Sequence, residues 1–369
     1  MLSIIKDEIK AIAGKRSDFE HILNARGSQP ADFVRYAEYE MNVDSLRVKR
    51  VKRLGIKATA HSGQRKIFNI FDRATKKFHG DVALWLQYAE YARAQKANKK
   101  LTRIFTDMLR MHPTRPELWI YAARYSIDVQ ADFGAARTYM QRGLRFNKTS
   151  KAMYLEHAKM EMIYIAKIAA RRRILGLDES KRPAQESEHV QEDIGVISLT
   201  GGALRDEKLD PLDAGLIDGD QLKRLSASPA LAGAIPLAVF DAAMKQFPGD
   251  DMLAEQFFNS FANFVLVPSL SGILDHVLNG VPSVDRNSSA RMQSCFCRLP
   301  LIGIAVDSAE YPAGLRTSLN RIKDASASSS ERAVFLQSLK TWLEPLSREE
   351  KLSSELHTVV LSTLKRYGM

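Results

Sequence analysis

Two short runs of cations are the residues of this chain best suited to chemistry. The first is Arg47-Val48-Lys49-Arg50-Val51-Lys52-Arg53-Leu54, followed by Lys57. Laid on a helix at about 100° per residue, Val48, Val51 and Leu54 fill an arc of roughly 120°, with Arg47 intruding on it. Lys49, Arg50, Lys52 and Arg53 spread over the opposite side. A cationic outer face of this kind meets phosphates without reading bases, because each Lys or Arg that neutralises a phosphate releases a counterion. The same pattern suits an acidic protein partner or a nuclear import signal. The second run, Arg171-Arg172-Arg173, lies within Ile165 to Leu177, just before an acidic stretch that is its candidate partner within the chain. Neither run interleaves aromatics with its cations, so stacking of the single-strand-binding kind is not expected.

Other chemistry finds few residues to carry it. The eight histidines are scattered, with no His-x-x-x-His pair and no His near Cys at metal-ligand spacing. There is no phosphate-binding Gly-x-x-x-x-Gly-Lys-Ser/Thr loop and no Gly-x-Ser-x-Gly elbow. Paired acids such as Glu349-Glu350 read as solvated helix faces. Cys295 and Cys297 sit too close together to staple distant segments and read as reduced thiols. The expectation is a protein without catalytic, cofactor or metal-binding residues.

Charge is unevenly placed. The chain of 369 residues has a net charge of +11, but residues 1–175 carry 35 Lys and Arg against 17 Asp and Glu, and the remainder 19 against 26. A basic half joined to a mildly acidic half directs the first half toward polyanions. No run of 18 or more apolar residues suggests a membrane span. Met1 to Glu8 lacks the pattern of a secretory signal.

The elements that must position the cations repeat. Leu84-Trp85-Leu86-Gln87-Tyr88-Ala89-Glu90-Tyr91 returns as Leu118-Trp119-Ile120-Tyr121-Ala122-Ala123-Arg124-Tyr125 and as Met153-Tyr154-Leu155-Glu156-His157-Ala158-Lys159-Met160. Trp85 to Trp119 is 34 positions and Trp119 to Tyr154 is 35. A second register, Ile70-Phe71-Asp72-Arg73-Ala74, Phe105 to Leu109 and Tyr139 to Gly143, runs in step with the first. A fixed period in this range means stacked helix hairpins, none able to bury its apolar face alone. Phe78 to Asp81, His112 to Pro116 and Asn147 to Ser150 supply turns and N-caps. Trp85, Tyr88 and Tyr91 share one helix face, as do Phe33, Tyr36 and Tyr39 of an earlier unit, and all are expected in the core. His157 replaces an aromatic of the stripe and is expected to pack there too.

Phe33 precedes Trp85 by 52 positions, so an insertion should separate the two helices of the first unit. Ser17-Asp18-Phe19-Glu20 has the form of a capping box, making Ser17 a helix start, with Gly27 closing that helix. Three regions result: a basic helical region over 1–178, an acidic and partly disordered linker over 179–232, and a shorter helical region over 233–369. In the last, Pro236 to Met244 opens a helix ended before Pro248, with Asp251 to Val267 as its partner. Ser326 to Ser330 reads as a break, followed by helices around 331–343 and 349–367. No Trp-led phrase occurs between Asp251 and Asp324, so this array is expected to be short and degenerate.

The Trp-led first helix with a downstream Tyr, paired with an aromatic-acid-Arg-Ala second helix, resembles the half-a-TPR (HAT) repeat. Lys15 to Glu20, Asp32 to Glu40, Leu46-Arg47 with Lys52-Arg53-Leu54-Gly55, and Ala166 to Gly176 are similar to the HAT-repeat subunit of the UTP-B complex. That family is of U-three small nucleolar RNA-associated proteins of the small-subunit processome. Pro229-Ala230-Leu231 and Ala234 to Phe247 also resemble its fungal members. Relative to that family, the chain starts almost directly in a helix ending near Ile12, without a further N-terminal segment.

The resemblance implies a right-handed all-α solenoid of HAT hairpins, interrupted by the linker. It implies a non-enzymatic scaffold in the nucleus and nucleolus that supports early processing of pre-ribosomal RNA to small-subunit 18S RNA. WD-repeat propeller subunits of UTP-B would be its partners, with pre-ribosomal RNA and the U-three small nucleolar RNA in the same assembly. Lys49, Arg50, Lys52, Arg53, Lys57, Arg171, Arg172 and Arg173 are the candidate RNA or partner contacts. Trp85, Tyr88, Tyr91, Trp119, Tyr125, Tyr154 and the Phe33 stripe hold the repeats. A HAT scaffold of splicing or messenger-RNA 3′-end formation is the alternative.

Overall fold

A computed structural model describes residues 2–55, 62–174, 233–281, 289–306, 308–328, 332–348 and 353–367. The expected linker 179–232, Lys57 and Pro229 to Leu231 lie outside these residues. Every regular element among the described residues is helical, as the repeats required. The helices are α1 (Leu2–Asn24), α2 (Pro30–Leu54), α3 (Ser62–Lys77), α4 (Val82–Ala94), α5 (Asn98–Met111), α6 (Pro116–Asp128), α7 (Phe133–Phe146) and α8 (Lys151–Ile174). After the undescribed stretch come α9 (Ala234–Gln246), α10 (Asp251–Ala262), α11 (Leu270–Asn279), α12 (Ala290–Arg298), α13 (Tyr311–Ser328), α14 (Arg332–Leu346) and α15 (Ser354–Arg366). A short 3-10 turn, Leu299–Leu301, follows α12. No described helix is long and apolar enough to cross a membrane. The helices divide into two units, Met1–Leu118 and Trp119–Met369.

In the first unit each helix packs on the next from α1 to α5. The core is aromatic: Phe71 stacks on Tyr88 at 5.3 Å and Phe68 meets Tyr91 at 5.1 Å, while Phe19 stacks on Tyr36 at 5.0 Å and reaches Tyr39 at 5.4 Å. Phe33, Tyr36, Trp85, Tyr88 and Tyr91 are buried, and Tyr39 is half-buried. Asp81 caps α4 by accepting from the amides of Ala83 and Leu84, and the Trp85 indole donates to the His79 carbonyl at 2.9 Å. These bonds fix where each hairpin begins.

Three expectations for this unit are corrected. Ser17 does not start a helix, and no helix ends near Ile12, because α1 runs unbroken from Leu2 to Asn24. A Ser-x-x-Glu phrase caps only where the preceding residues leave the helix; Asp7 to Ala13 are mostly good helix formers. The cap falls at the next helix, where the Gln29 amide donates to Asp32 at 2.8 Å and Pro30 takes the first position. The insertion in the first unit is spent largely on lengthening α2 to 25 residues, against 13 in α4. Gly55, at φ 66°, then ends it in the left-handed region.

In the second unit Trp119, Tyr125, Tyr154 and His157 are buried, as the stripe predicted. Gly143 is where α7 comes close to its neighbours: a Cβ there would lie 2.6 Å from Met153 and 2.9 Å from Trp119. Helix α8 packs onward against the next two helices. Tyr154, Ala158, Met162 and Ile165 join Phe240 of α9 and Phe257, Phe258 and Phe261 of α10 in one core. A second core links α12 to α15 through Tyr311, Phe335, Leu339 and Leu343.

The C-terminal region contains helices that the sequence did not announce. It holds seven described helices, of which α11, α12 and α13 were not expected. The partner helix ends at Ala262 rather than Val267. Ser326 to Ser328 continue α13 instead of breaking it, with Ser326 Oγ donating to the Lys323 carbonyl at 2.8 Å. The last two helices are Arg332–Leu346 and Ser354–Arg366 rather than 331–343 and 349–367.

Candidate interaction surfaces

The hairpins share one frame of reference. Phe19, Phe71, Phe105 and Met140 each precede the first stripe residue of the next helix (Phe33, Trp85, Trp119, Tyr154) by 14 positions. In that frame Glu40 and Glu161 occupy one site, seven residues into their stripes, where the inner repeats have Ala92 and Ser126. Arg16 and Arg137 likewise share a site where the inner repeats have Phe68 and Thr102. The structure joins them. Arg16 makes two bonds to Glu40 at 2.6 and 2.8 Å, and Arg137 makes two to Glu161 at 2.8 Å. The carboxylates are 2% and 1% exposed. Two parallel N–H donors per carboxylate are the geometry that makes such burial tolerable. Sequence reading missed both pairs, although the shared 24-residue separation was there to be found.

His157 extends the second pair. Its Nε2 lies 3.8 Å from Glu161, and its Nδ1 is buried without a hydrogen-bond partner. Burial holds its pKa below the usual value, outweighing the nearby carboxylate. It behaves as the packed core residue expected of its place in the stripe.

The described candidate cations lie on α2 and α8, in both cases beyond the buried glutamate. On α2, Lys49, Lys52 and Arg53 are exposed and make no ion pair among the described residues. Arg50 departs from the expected free outer face: its guanidinium donates to Glu8 of α1 at 2.6 and 3.0 Å, which lowers the Glu8 pKa. Arg47 bonds Asp44 at 2.8 Å. The apolar arc is also corrected. Val48 is 51% and Leu54 62% exposed, with Val51 half-buried. These positions continue the core stripe of α2, but α3 reaches α2 only about as far as Asp44, against which Gly63 packs. Among the described residues the stripe outruns its cover.

On α8, Arg171 and Arg173 are exposed and Arg172 is half-buried. They stand in the last turn, where cations favour the negative end of the helix dipole. No three His, Cys, Asp or Glu side chains gather as a metal site among the described residues. Burial raises both thiols, Cys297 to about 12 and Cys295 further, so neither is a nucleophile at neutral pH.

Comparison with known proteins fits this geometry. Residues 4–73, which take in most of α1, α2 and most of α3, match the family described as U3 small nucleolar RNA-associated protein 6. The protein of that name from Schizosaccharomyces pombe is 37% identical over 198 residues, 52% of this chain and 41% of the relative. The Homo sapiens homologue is 32% identical over 165 residues, 44% and 28% of the two chains. The Dictyostelium discoideum homologue is 30% identical over 263 residues, 70% and 42%. In each case the match spans less than half of the relative's length. The chain is accordingly a relative of the U3 small nucleolar RNA-associated protein 6 proteins.

Proposed function

We propose that this chain is a non-enzymatic scaffold subunit of a nuclear, nucleolar ribonucleoprotein built around U3 small nucleolar RNA. In that particle, the small-subunit processome, it supports the early processing of pre-ribosomal RNA toward 18S RNA. The observation that carries the reading is the family match over residues 4–73, because that segment includes the basic half of α2 and not merely a generic hairpin. Helix hairpins of HAT type would present long surfaces to WD-repeat propeller subunits of the UTP-B complex. Exposed cations on α2 and α8 would add salt-dependent attraction to RNA, while protein contacts set specificity.

The test is recovery of the tagged full chain from nuclear extract, with both its proteins and its RNAs identified. U3 small nucleolar RNA and pre-ribosomal RNA are the expected RNAs. Spliceosomal RNAs in their place would move the chain to splicing or 3′-end processing. Nucleotide or RNA turnover by the purified protein would overturn the non-enzymatic reading.

A further inference from the structure

The last three turns of α2 present an apolar ridge and a cationic flank together. Val48 and Leu54 stand in solvent with Lys49, Lys52 and Arg53 around them. Lys52, one turn from Val48, borders the apolar ridge rather than lying opposite it as expected. Nearby on α1, Ile9 is also largely exposed, and Arg50 ties that helix to α2 through Glu8. Here the core stripe of α2 continues with Val51 half-buried and with Val48 and Leu54 uncovered among the described residues.

The second long helix shows what such a stripe takes. Met162 of α8 corresponds in the repeat frame to Met41 of α2. Met162 is fully buried beneath α9 and α10, whereas Met41 is only half-buried. The cover of α8 is a helix pair, and Asp250, the N-cap of α10, forms an ion pair with Lys151 at the first position of α8.

From this contrast we infer that the C-terminal half of α2 docks a helical segment of another protein, with an apolar stripe flanked by Asp and Glu. Charge complementarity selects the acidic flank, and the uncovered stripe selects a protein over RNA. A phosphate backbone would neutralise Lys49, Lys52 and Arg53 but leave Val48 and Leu54 against water. The inference rests on the chain being an assembly subunit, not on which RNA the assembly holds.

A single reporter tests it. Val48→Cys keeps a small apolar side chain, and the native thiols are buried, so a maleimide probe reads position 48 alone. The tagged full-length variant is compared as purified monomer and in the high-mass assembly recovered from extract. Docking predicts labelling about tenfold slower in the assembly, as a water-excluded contact requires, with protection surviving ribonuclease. Carbodiimide treatment of the same assembly should join Lys49 or Lys52 to Asp or Glu of another chain. An introduced thiol that labels as fast in the assembly as in the monomer, or absence of any high-mass assembly, overturns the inference. Protection lost on ribonuclease treatment assigns the surface to RNA, and protection already present in the monomer assigns it to this chain; either outcome also overturns it. U3 RNA is scored separately on the same material, so protection without U3 rejects the proposed particle while retaining the docking surface.

Discussion

Helices α2 and α8 are built alike and used differently. They have 25 and 24 residues where α4 and α6 have 13, and both bury a glutamate seven residues into the stripe against an arginine of the preceding helix. Both end in cations. Yet α8 from Tyr154 to Ile165 shares a core with α9 and α10, whereas Val48 and Leu54 near the end of α2 stand exposed. Helix length and terminal charge alone therefore say little about function; what lies over the extension decides whether it is core or interface.

Substitutions should separate these roles. Phe257→Ala, in the core that α8 shares with α9 and α10, should cost about 3–5 kcal/mol in urea unfolding. Val48→Ser or Leu54→Ser should stay within about 0.5 kcal/mol, and a larger loss would mean that the α2 extension is core after all. Next come Glu40→Ala and Glu161→Ala, each expected to cost about 3 kcal/mol by leaving a partly buried arginine unpaired. Equal losses would establish the repeat equivalence of the two pairs, and a neutral Glu40→Ala would break it. Trp85→Phe removes one indole bond to the His79 carbonyl and should cost about 1 kcal/mol beyond its loss of packing.

The smallest effect concerns His157, which faces Glu161 on its own helix and Arg137 on α7. Its folded pKa lies below the ordinary histidine value of 6.5, so the unfolded chain takes up this proton at higher pH than the folded chain. Its contribution to stability is present above pH 6.5 and declines as pH falls through that value. Melting temperature should consequently drop less between about pH 7.5 and about pH 5.5 in His157→Phe than in the parent, a range reaching one unit either side of the ordinary histidine value.

Much of the repeat series is legible in the sequence because aromatics are large and their spacing is fixed. Trp85, Trp119 and Tyr154 announce their hairpins at 34 and 35 positions, and all are buried. Leu270, Ile273, Leu274, Val277 and Leu278 also have helical spacing and pack in the core, but α11 has no Trp-led phrase to announce it. The site is less legible. Lys49, Lys52 and Arg53 fall on the exposed side as their spacing predicts, while the fate of Val48 and Leu54 depends on how far neighbouring helices reach. Arg50 likewise acquires Glu8 from a distance of 42 residues, a partner that no local pattern signals.

The buried glutamates also bear on how the chain is made. In each pair the arginine comes first and its carboxylate 24 residues later. During synthesis the guanidinium waits, hydrated, until the residue that will be buried has been added. The acid is thus never committed to an apolar interior before its counterion exists, and neither hairpin can close on an incomplete pair.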